Sequence, residues 1–189
     1  MKYLKSLVIV LALLLVGCGS EIETNMSKQV KEFEFTTQDN NSLSSEDLKG
    51  NWWIADFIFT NCETVCLPMT FNMSKLQDKM KEEKLDAQLI SFTVDPDRDT
   101  PEVLKEYAEG YEADLSNWTF LTGYDFNTIR DLSIDSFQSL LAAPPAGTDQ
   151  VTHGTSFFLV NPEGKIIKSY SGIEDEVVDV IIDDLKKVL

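Results

Sequence analysis

The chain has 189 residues and 43% hydrophobic content, which is enough for one domain with a substantial core. It carries 16 basic and 32 acidic residues, so its formal net charge is -16 at pH 7. A surface this acidic repels phosphate backbones, and nucleic acid is therefore excluded as a partner class. The sequence contains no internal repeat and no sign of a second domain.

The first residues have the pattern of an export signal. A basic start is followed by an apolar run from Leu7 to Val16, which is too short to span a bilayer comfortably. The ending Leu15-Val-Gly-Cys18 is similar to the bacterial lipobox, in which the peptide is cut before the cysteine and the thiol receives a diacylglycerol. A simple secretory signal with an incidental cysteine is the alternative.

We therefore predict three segments. Residues 1–17 form a lipoprotein signal peptide, residues 18–31 a polar, lipid-anchored tether, and residues 32–189 the folded domain. Lipidation at Cys18 would hold the domain at the cell membrane, on the extracytoplasmic face.

Strand and helix patterns alternate through the first half of the domain. Glu32 to Thr36 alternates polar and apolar residues and predicts a strand. Trp52 to Thr60 is a nearly continuous apolar run, typical of a buried strand, interrupted by Asp56. Apolar residues then recur at the spacing of one helix face, at Met69, Met73, Leu76 and Met80. This stripe predicts a helix packed on the core, with a methionine-rich copper site as the alternative.

A second strand and helix follow. Leu85 to Val94 predicts a buried strand. Pro101 suits the first position of a helix, and either Asp99 or Thr100 can cap that helix.

The remaining elements complete an α/β pattern. Trp118 to Leu121 is a short apolar strand, and Asp125 to Leu141 predicts a helix. Phe157 to Val160 and Lys165 to Tyr170 flank a turn and predict a β-hairpin, and residues 177–188 form an amphipathic helix. These elements indicate an α/β sandwich with a mixed central sheet flanked by helices.

Cys62 and Cys66 stand four residues apart, after an apolar strand and at the start of a helix. On one helix face their Cβ atoms would be about 5–6 Å apart, so both a disulfide and coordination of one ion by two thiolates are reachable. A helix N-terminus lowers the pKa of a thiol, although the carboxylate of Glu63 opposes this effect. A purely structural disulfide is the alternative.

His153 is the only histidine and comes just before an apolar strand. By itself it could be a surface or core histidine, but it completes a Cys2His set with Cys62 and Cys66. Thiolates suit Cu(I), an added imidazole allows Cu(II), and Zn(II) is also chemically acceptable.

The combined motifs resemble the Sco (SenC) family of thioredoxin-like copper proteins, which assist cytochrome c oxidase assembly. The resemblance covers residues 30–189 and rests on several stretches of sequence. They are Lys49-Gly50, Thr60-Asn-Cys-Glu-Thr-Val-Cys66, Thr93-Val-Asp-Pro-Asp-Arg-Asp-Thr-Pro101, Trp118 with Leu121-Thr-Gly123, and His153 before Phe157. One departure is Leu67, which separates the second cysteine from Pro68, whereas the family usually has proline directly after it.

The resemblance implies a thioredoxin-like fold and a copper metallochaperone for the binuclear site of cytochrome c oxidase subunit II. Copper, as Cu(I) or Cu(II), would be held by Cys62, Cys66 and His153, and the two cysteines would form a redox-active pair. Asp95 and Asp99 could order the loop or act on the metal ligands without binding the metal, although helix capping and turn formation are the preferred roles for them. A thiol reductase or a copper donor protein would be a further partner. A thiol-disulfide oxidoreductase that reduces the oxidase cysteines is the alternative function, and the pattern disfavours a thiol peroxidase.

Overall fold

The computed structural model describes residues 22–62 and 66–189. The signal segment and the predicted lipidation site Cys18 lie outside the described residues. None of the helices in the described ranges is both long and apolar enough to cross a membrane.

Ten strands and four helices follow one another in the described part of the chain. The strands are β1 (Lys28–Gln29), β2 (Glu34–Thr37), β3 (Ser42–Ser44), β4 (Trp52–Ile58), β5 (Ala87–Thr93), β6 (Trp118–Thr122), β7 (Leu141–Ala142), β8 (Thr152–His153), β9 (Ser156–Val160) and β10 (Lys165–Ser171). The helices are α1 (Cys66–Glu83), α2 (Pro101–Gly110), α3 (Phe126–Asp135) and α4 (Val177–Val188).

Eight of these strands form one mixed sheet in the order β1-β10-β9-β4-β5-β6-β2-β3. Strands β4, β5 and β6 are parallel, because α1 and α2 carry the chain back between them, and the other pairings are antiparallel. The order β10-β9-β4-β5, with α1 after β4 and α4 after β10, is the arrangement of a thioredoxin-like fold. The predicted fold class, including the hairpin of β9 and β10, is confirmed.

The sheet separates two apolar clusters. Helices α1, α2 and α4 cover one face, and α3 with its following loop covers the other. Met69, Met73, Leu76 and Met80 are fully buried in the first cluster, which confirms that the methionine stripe packs in the core. Side chains alternate between the two clusters along β4, as expected for a strand covered on both faces.

Helix α3 is shorter than predicted. Asp125 caps it by accepting a hydrogen bond from the backbone N–H of Thr128 at 2.8 Å, and the helix ends at Asp135 instead of continuing to Leu141. Gln138 adopts a left-handed conformation with φ of 53°, which turns the chain out of the helix. Phe137 and Leu141 are nevertheless buried, so apolar spacing alone could not separate helix from loop here.

The segment before β2 lies on the domain. Strand β1 pairs with β10 at the edge of the sheet, and Ile22 and Val30 are buried. Residues 22–31, assigned to the tether from their polar composition, therefore pack against the domain that we had begun at residue 32.

Candidate metal centre

The loop that carries Cys62 leaves the carboxyl end of β4. In an open sheet with parallel strands, ligand sites lie at this end of the strands. Cys62 is buried, with 9% of its surface exposed, and its backbone N–H donates to the carbonyl of Phe59 at 3.3 Å. Helix α1 begins at Cys66, so the sequence correctly placed the second cysteine at a helix start. The side chain of Cys66 and residues 63–65 lie outside the described part of the structure.

His153 lies in β8, where it pairs with Leu141 of β7. Its Nδ1 is 2.9 Å from the carbonyl oxygen of Gly154. A carbonyl can only accept, so Nδ1 carries the proton of the neutral ring and Nε2 carries the lone pair. A hydrogen bond of this kind from the second ring nitrogen orients metal-binding histidines. The ring also meets the edge of Phe59, with 5.7 Å between centroids, and therefore sits beside the loop of Cys62.

Gly154 lets the loop that carries His153 lie close to Ser139 and Leu140. Its backbone N–H donates to the carbonyl of Leu140 at 2.9 Å. A Cβ atom at this position would lie 2.3 Å from Oγ of Ser139, well inside van der Waals contact. The absence of a side chain at residue 154 thus allows the backbone carbonyl that orients His153 to be placed there.

Asp99 fixes the chain just ahead of Cys62. Its buried carboxylate accepts hydrogen bonds from the hydroxyl of Thr60 at 2.6 Å, from the backbone N–H of Thr60 at 3.2 Å, and from the hydroxyl of Thr93. Burial raises the pKa of Asp99, while the hydrogen bonds from Thr60 and Thr93 favour the ionised form. Thr100 is the residue that caps α2, so Asp99 serves the cysteine loop and not the helix.

Asp95 forms the turn that presents Asp99. Its carbonyl accepts from the backbone N–H groups of Arg98 at 3.1 Å and Asp99 at 2.9 Å. Partial burial, together with the negative charge of Asp99, raises the pKa of the Asp95 carboxyl. Of the roles predicted for Asp95 and Asp99, turn formation fits the first and loop ordering the second.

Asp149 ties the cysteine loop to the histidine loop. Its carboxylate accepts hydrogen bonds from Arg98 at 2.6 Å and from the side chain of Asn61 at 3.0 Å. The side chain of Gln150 donates to the carbonyl of Asn61 at 2.9 Å. The hydrogen bond from Arg98 lowers the pKa of Asp149 to about 2, so these contacts persist at neutral pH. The residue before Cys62 is therefore joined to the segment that leads into His153.

Asp56 is a buried carboxyl within β4. Among the side chains that the structure describes, it is the one whose buried polar atoms, both carboxylate oxygens, lack a hydrogen-bond partner. Burial raises the pKa of Asp56 to about 7, although the nearby hydroxyl of Ser91 and the charge of His153 oppose the rise. A group with this pKa exchanges its proton in the physiological range.

The structure brings the motif-bearing loops together, but it does not display the complete predicted ligand set. Among the described side chains, no three histidine, cysteine, aspartate or glutamate residues form a group that could hold a metal ion. The predicted set includes Cys66, whose side chain lies outside the described part of the structure. Coordination by Cys62, Cys66 and His153 accordingly stays a prediction.

The sequence reasoning gave no role to several residues of this region. Asn61 and Arg98 were noticed only as parts of motifs, and Asp149 was not singled out. Their contacts join residues between 51 and 88 positions apart, which no local pattern reveals. The sequence did point to Asp56, because it is a charged residue within an apolar strand. Such a residue is either buried at a cost or turned out of the core.

These features define a thioredoxin-like domain with a candidate thiol and imidazole site at the carboxyl end of its first parallel strand. The sequence model of the SCO1/SenC family matches residues 22–189. The chain belongs to the SCO1/SenC family.

Relatives agree with this assignment over nearly the whole chain. An SCO1 protein homolog from Bacillus subtilis is 45% identical over 188 residues, covering 98% of this chain and 97% of the relative. A SCO1/SenC family lipoprotein from Bacillus anthracis superposes with a TM-score of 0.81 at 51% identity, over 85% of this chain and 94% of that one.

Two further solved structures bear on chemistry. BsSco, a member of the Sco family of cytochrome c oxidase assembly proteins in which a disulfide switch was identified, is 46% identical with a TM-score of 0.79, over 88% of this chain and 95% of that one. Arabidopsis thaliana ScoI with copper bound is 25% identical with a TM-score of 0.70, over 84% of this chain and 96% of that one.

Proposed function

We propose that this protein binds copper through Cys62, Cys66 and His153 and serves as an assembly factor for the binuclear copper site of cytochrome c oxidase subunit II. Copper is here the cargo of the protein. The proposal also includes attachment to the extracytoplasmic face of the membrane through a lipid on Cys18.

The observation that carries the proposal is the junction between the two ligand-bearing loops. Asp149 and Gln150 hold Asn61, the residue before Cys62, from the loop that leads into His153. The ring of His153 contacts Phe59 on the other side of the same short loop. Asn61 and Asp149, 88 positions apart, and Phe59 and His153, 94 positions apart, are thus in contact.

The donor chemistry of this region suits copper. The Nδ1 hydrogen bond to Gly154 leaves the lone pair of the neutral His153 ring on Nε2, the atom a metal ion would use. A cysteine thiolate is a soft ligand that selects Cu(I), and an imidazole accommodates the oxidised ion. One thiol and this imidazole are described, and Cys66 at the start of α1 would supply the second thiolate.

The relatives support the same conclusion. BsSco is described as belonging to cytochrome c oxidase assembly proteins, and ScoI of Arabidopsis thaliana holds copper. The Bacillus anthracis relative is described as a lipoprotein, which supports the attachment at Cys18.

Copper transfer to an apo-form of the soluble oxidase subunit II fragment tests the function. The reduced domain loaded with one equivalent of copper should convert the fragment to its coloured binuclear form. A Cys62→Ser, Cys66→Ser double variant should neither bind nor deliver copper. Transfer that is equal for the wild type and the double variant would contradict the proposed site.

A thiol-disulfide oxidoreductase is the second candidate. The thioredoxin-like fold with cysteines at the first strand-to-helix junction favours it, as does the disulfide switch described for BsSco. Copper-free reduced protein should then reduce an oxidised subunit II fragment, with stoichiometric formation of a Cys62–Cys66 disulfide. His153→Ala separates the functions, because dithiol exchange does not need the imidazole, whereas Cu(II) binding does.

A further inference from the structure

Asn72 is a buried amide in the second turn of α1, the helix that begins at Cys66. Its side-chain nitrogen donates hydrogen bonds to two backbone carbonyls, that of Gly172 at 2.9 Å and that of Glu174 at 3.3 Å. Both hydrogens of the amide are therefore used, and both acceptors lie in the loop between β10 and α4. These bonds join α1 to a segment 100 and 102 residues further along the chain.

Gly172 extends this contact to the segment that follows His153. Its backbone N–H donates to the carbonyl of Thr155 at 2.7 Å, one step beyond the last paired residues of β9 and β10. A Cβ atom at residue 172 would lie 2.8 Å from that carbonyl oxygen and 3.1 Å from the ring of Phe157, so the two segments are in close contact. Thr155 directly follows Gly154, whose carbonyl orients the ring of His153. A continuous series of contacts thus connects α1 to the imidazole.

Thr70, in the same turn of α1, is held toward the opposite half of the sheet. Its hydroxyl shares a hydrogen bond at 2.6 Å with the hydroxyl of Tyr107 in α2, whose ring packs against Phe120 of β6. Strands β9 and β10 lie on the other side of β4 from β6. Asn72 therefore ties this turn of α1 to the strands next to the loop of His153, whereas Thr70 ties it to the other half.

We infer that Asn72 is a positioning residue that sets the place of the His153 segment relative to α1, and thereby the geometry in which one imidazole and two thiolates can share a copper ion. The inference rests on the proposed copper binding. An α-helix is a stiff element, so Cys66 at its start keeps its place relative to Asn72. The segment that leads into His153 is held to the loop of Cys62 through Asp149, and Asn72 adds a second constraint from the helix of the other cysteine.

Loss of this constraint should affect the two oxidation states of copper differently. Cu(II) uses the imidazole together with the thiolates, whereas two thiolates suffice for Cu(I). Cys62 and Cys66 are only four residues apart along the chain, so their approach to each other does not depend on the contacts of Asn72. A displaced His153 should therefore weaken Cu(II) binding and leave Cu(I) binding nearly unchanged.

Dissociation constants of the reduced protein for Cu(II) and Cu(I), measured by competition with chelators at neutral pH, test this role. Asn72→Ala should weaken Cu(II) binding by about tenfold, the lower end of what removing a partner behind a metal ligand costs, and should shift the sulfur-to-copper absorption band. Gly172→Ala disturbs the same contacts from the other side, because its Cβ would meet the carbonyl of Thr155, and should give the same pattern.

Gln77→Ala is the matched control, since it removes another buried amide of α1. The side chain of Gln77 donates to the carbonyl of Asp114 at 2.8 Å and to the side chain of Asn117 at 2.7 Å. These bonds tie α1 to the loop before β6, so their loss should lower the melting temperature without changing the ratio of the two copper affinities. A loss of stability is thereby separated from a loss of position.

A double-mutant cycle shows whether Asn72 acts through the histidine. If it does, Asn72→Ala should have no further effect on Cu(II) affinity once His153→Ala is present. Additive losses in that double variant, an equal change of the affinity ratio in Gln77→Ala, or unchanged Cu(II) binding by Asn72→Ala and Gly172→Ala would each overturn the role of Asn72 while leaving copper binding in place. Absence of copper binding by the wild type would instead refute the proposed function, on which the inference depends.

Discussion

Replacing Asp56 by asparagine should stabilise the copper-free, reduced domain, and increasingly so as the pH rises. Asparagine has nearly the same shape but no charge, so the substitution removes the burial cost of the carboxylate without opening a cavity. Neither carboxylate oxygen has a hydrogen-bond partner that the substitution would break.

The magnitude follows from the pKa of Asp56, which is about 7 in the fold against an ordinary value of 3.8. Because the folded-state pKa is raised, the associated stability is fully present below the unfolded value and is lost as the pH rises through the folded one. Each pKa unit corresponds to about 1.4 kcal/mol. Ionisation of Asp56 therefore costs the native state about 4 kcal/mol more than it costs the unfolded chain. Between pH 5 and pH 8 the same linkage gives about 3 kcal/mol.

Urea unfolding at constant ionic strength, with a thiol reductant and a copper chelator present, measures this difference. The free energy of unfolding of Asp56→Asn minus that of the wild type should grow by about 3 kcal/mol from pH 5 to pH 8. Asp184→Asn, at the buried carboxylate of α4, should instead be less stable than the wild type by an amount that stays constant from pH 5 to pH 8. The pKa of Asp184 is lowered in the fold, so its contribution is already fully present above the unfolded value. Parallel pH profiles for the wild type and Asp56→Asn would show that Asp56 does not titrate in this range, and the reasoning would fail.

Three further predictions concern the site and its attachment. His153→Ala should weaken Cu(II) binding more than Cu(I) binding and should alter the sulfur-to-copper absorption band, measured by titration; equal losses for both ions would argue against imidazole ligation. Gly154→Ala should weaken Cu(II) binding by displacing the carbonyl that orients His153, and adding Ser139→Ala should restore it, because the clashing hydroxyl is then gone. If the double variant stays as weak as the single one, the close approach is not the cause. Cys18→Ala should abolish incorporation of labelled fatty acid in cells, while a domain beginning at residue 20 keeps full copper affinity; label retained in the variant would place the lipid elsewhere.

Local patterns were enough to predict most of the elements but not the contacts between loops. The strand of Trp52 to Ile58 and the stripe from Met69 to Met80 follow from spacing and burial, which are properties of adjacent residues. The end of α3 was missed because apolar residues continue past it, in a loop turned by the left-handed Gln138. The polar composition of residues 22–31 did not reveal that Ile22 and Val30 are buried.

In the candidate site, too, the sequence reveals some residues and the tertiary structure is needed for others. Cys62, Cys66 and His153 stand out by residue type and spacing, since two nearby thiols and a single histidine have few uses in a protein predicted to be exported. The chain just before Cys62 is held by Asp99 and Asp149, which reach across the fold to Thr60 and Asn61. Many acidic residues are present in this chain, and only tertiary structure distinguishes the two that hold the loops.

The route by which the chain enters the domain has a consequence for the orientation of the protein at a lipid surface. Strand β10 runs in the same direction as β4, and Asn25 pairs with Ser169 near the end of β10, so the chain arrives from the sheet edge at which Cys62 lies. Only three residues lie between the proposed anchor, Cys18, and the buried Ile22, and the four steps along the chain span at most about 14 Å. If Cys18 carries the lipid, so short a connection would keep the edge of the sheet that bears Cys62 close to the bilayer.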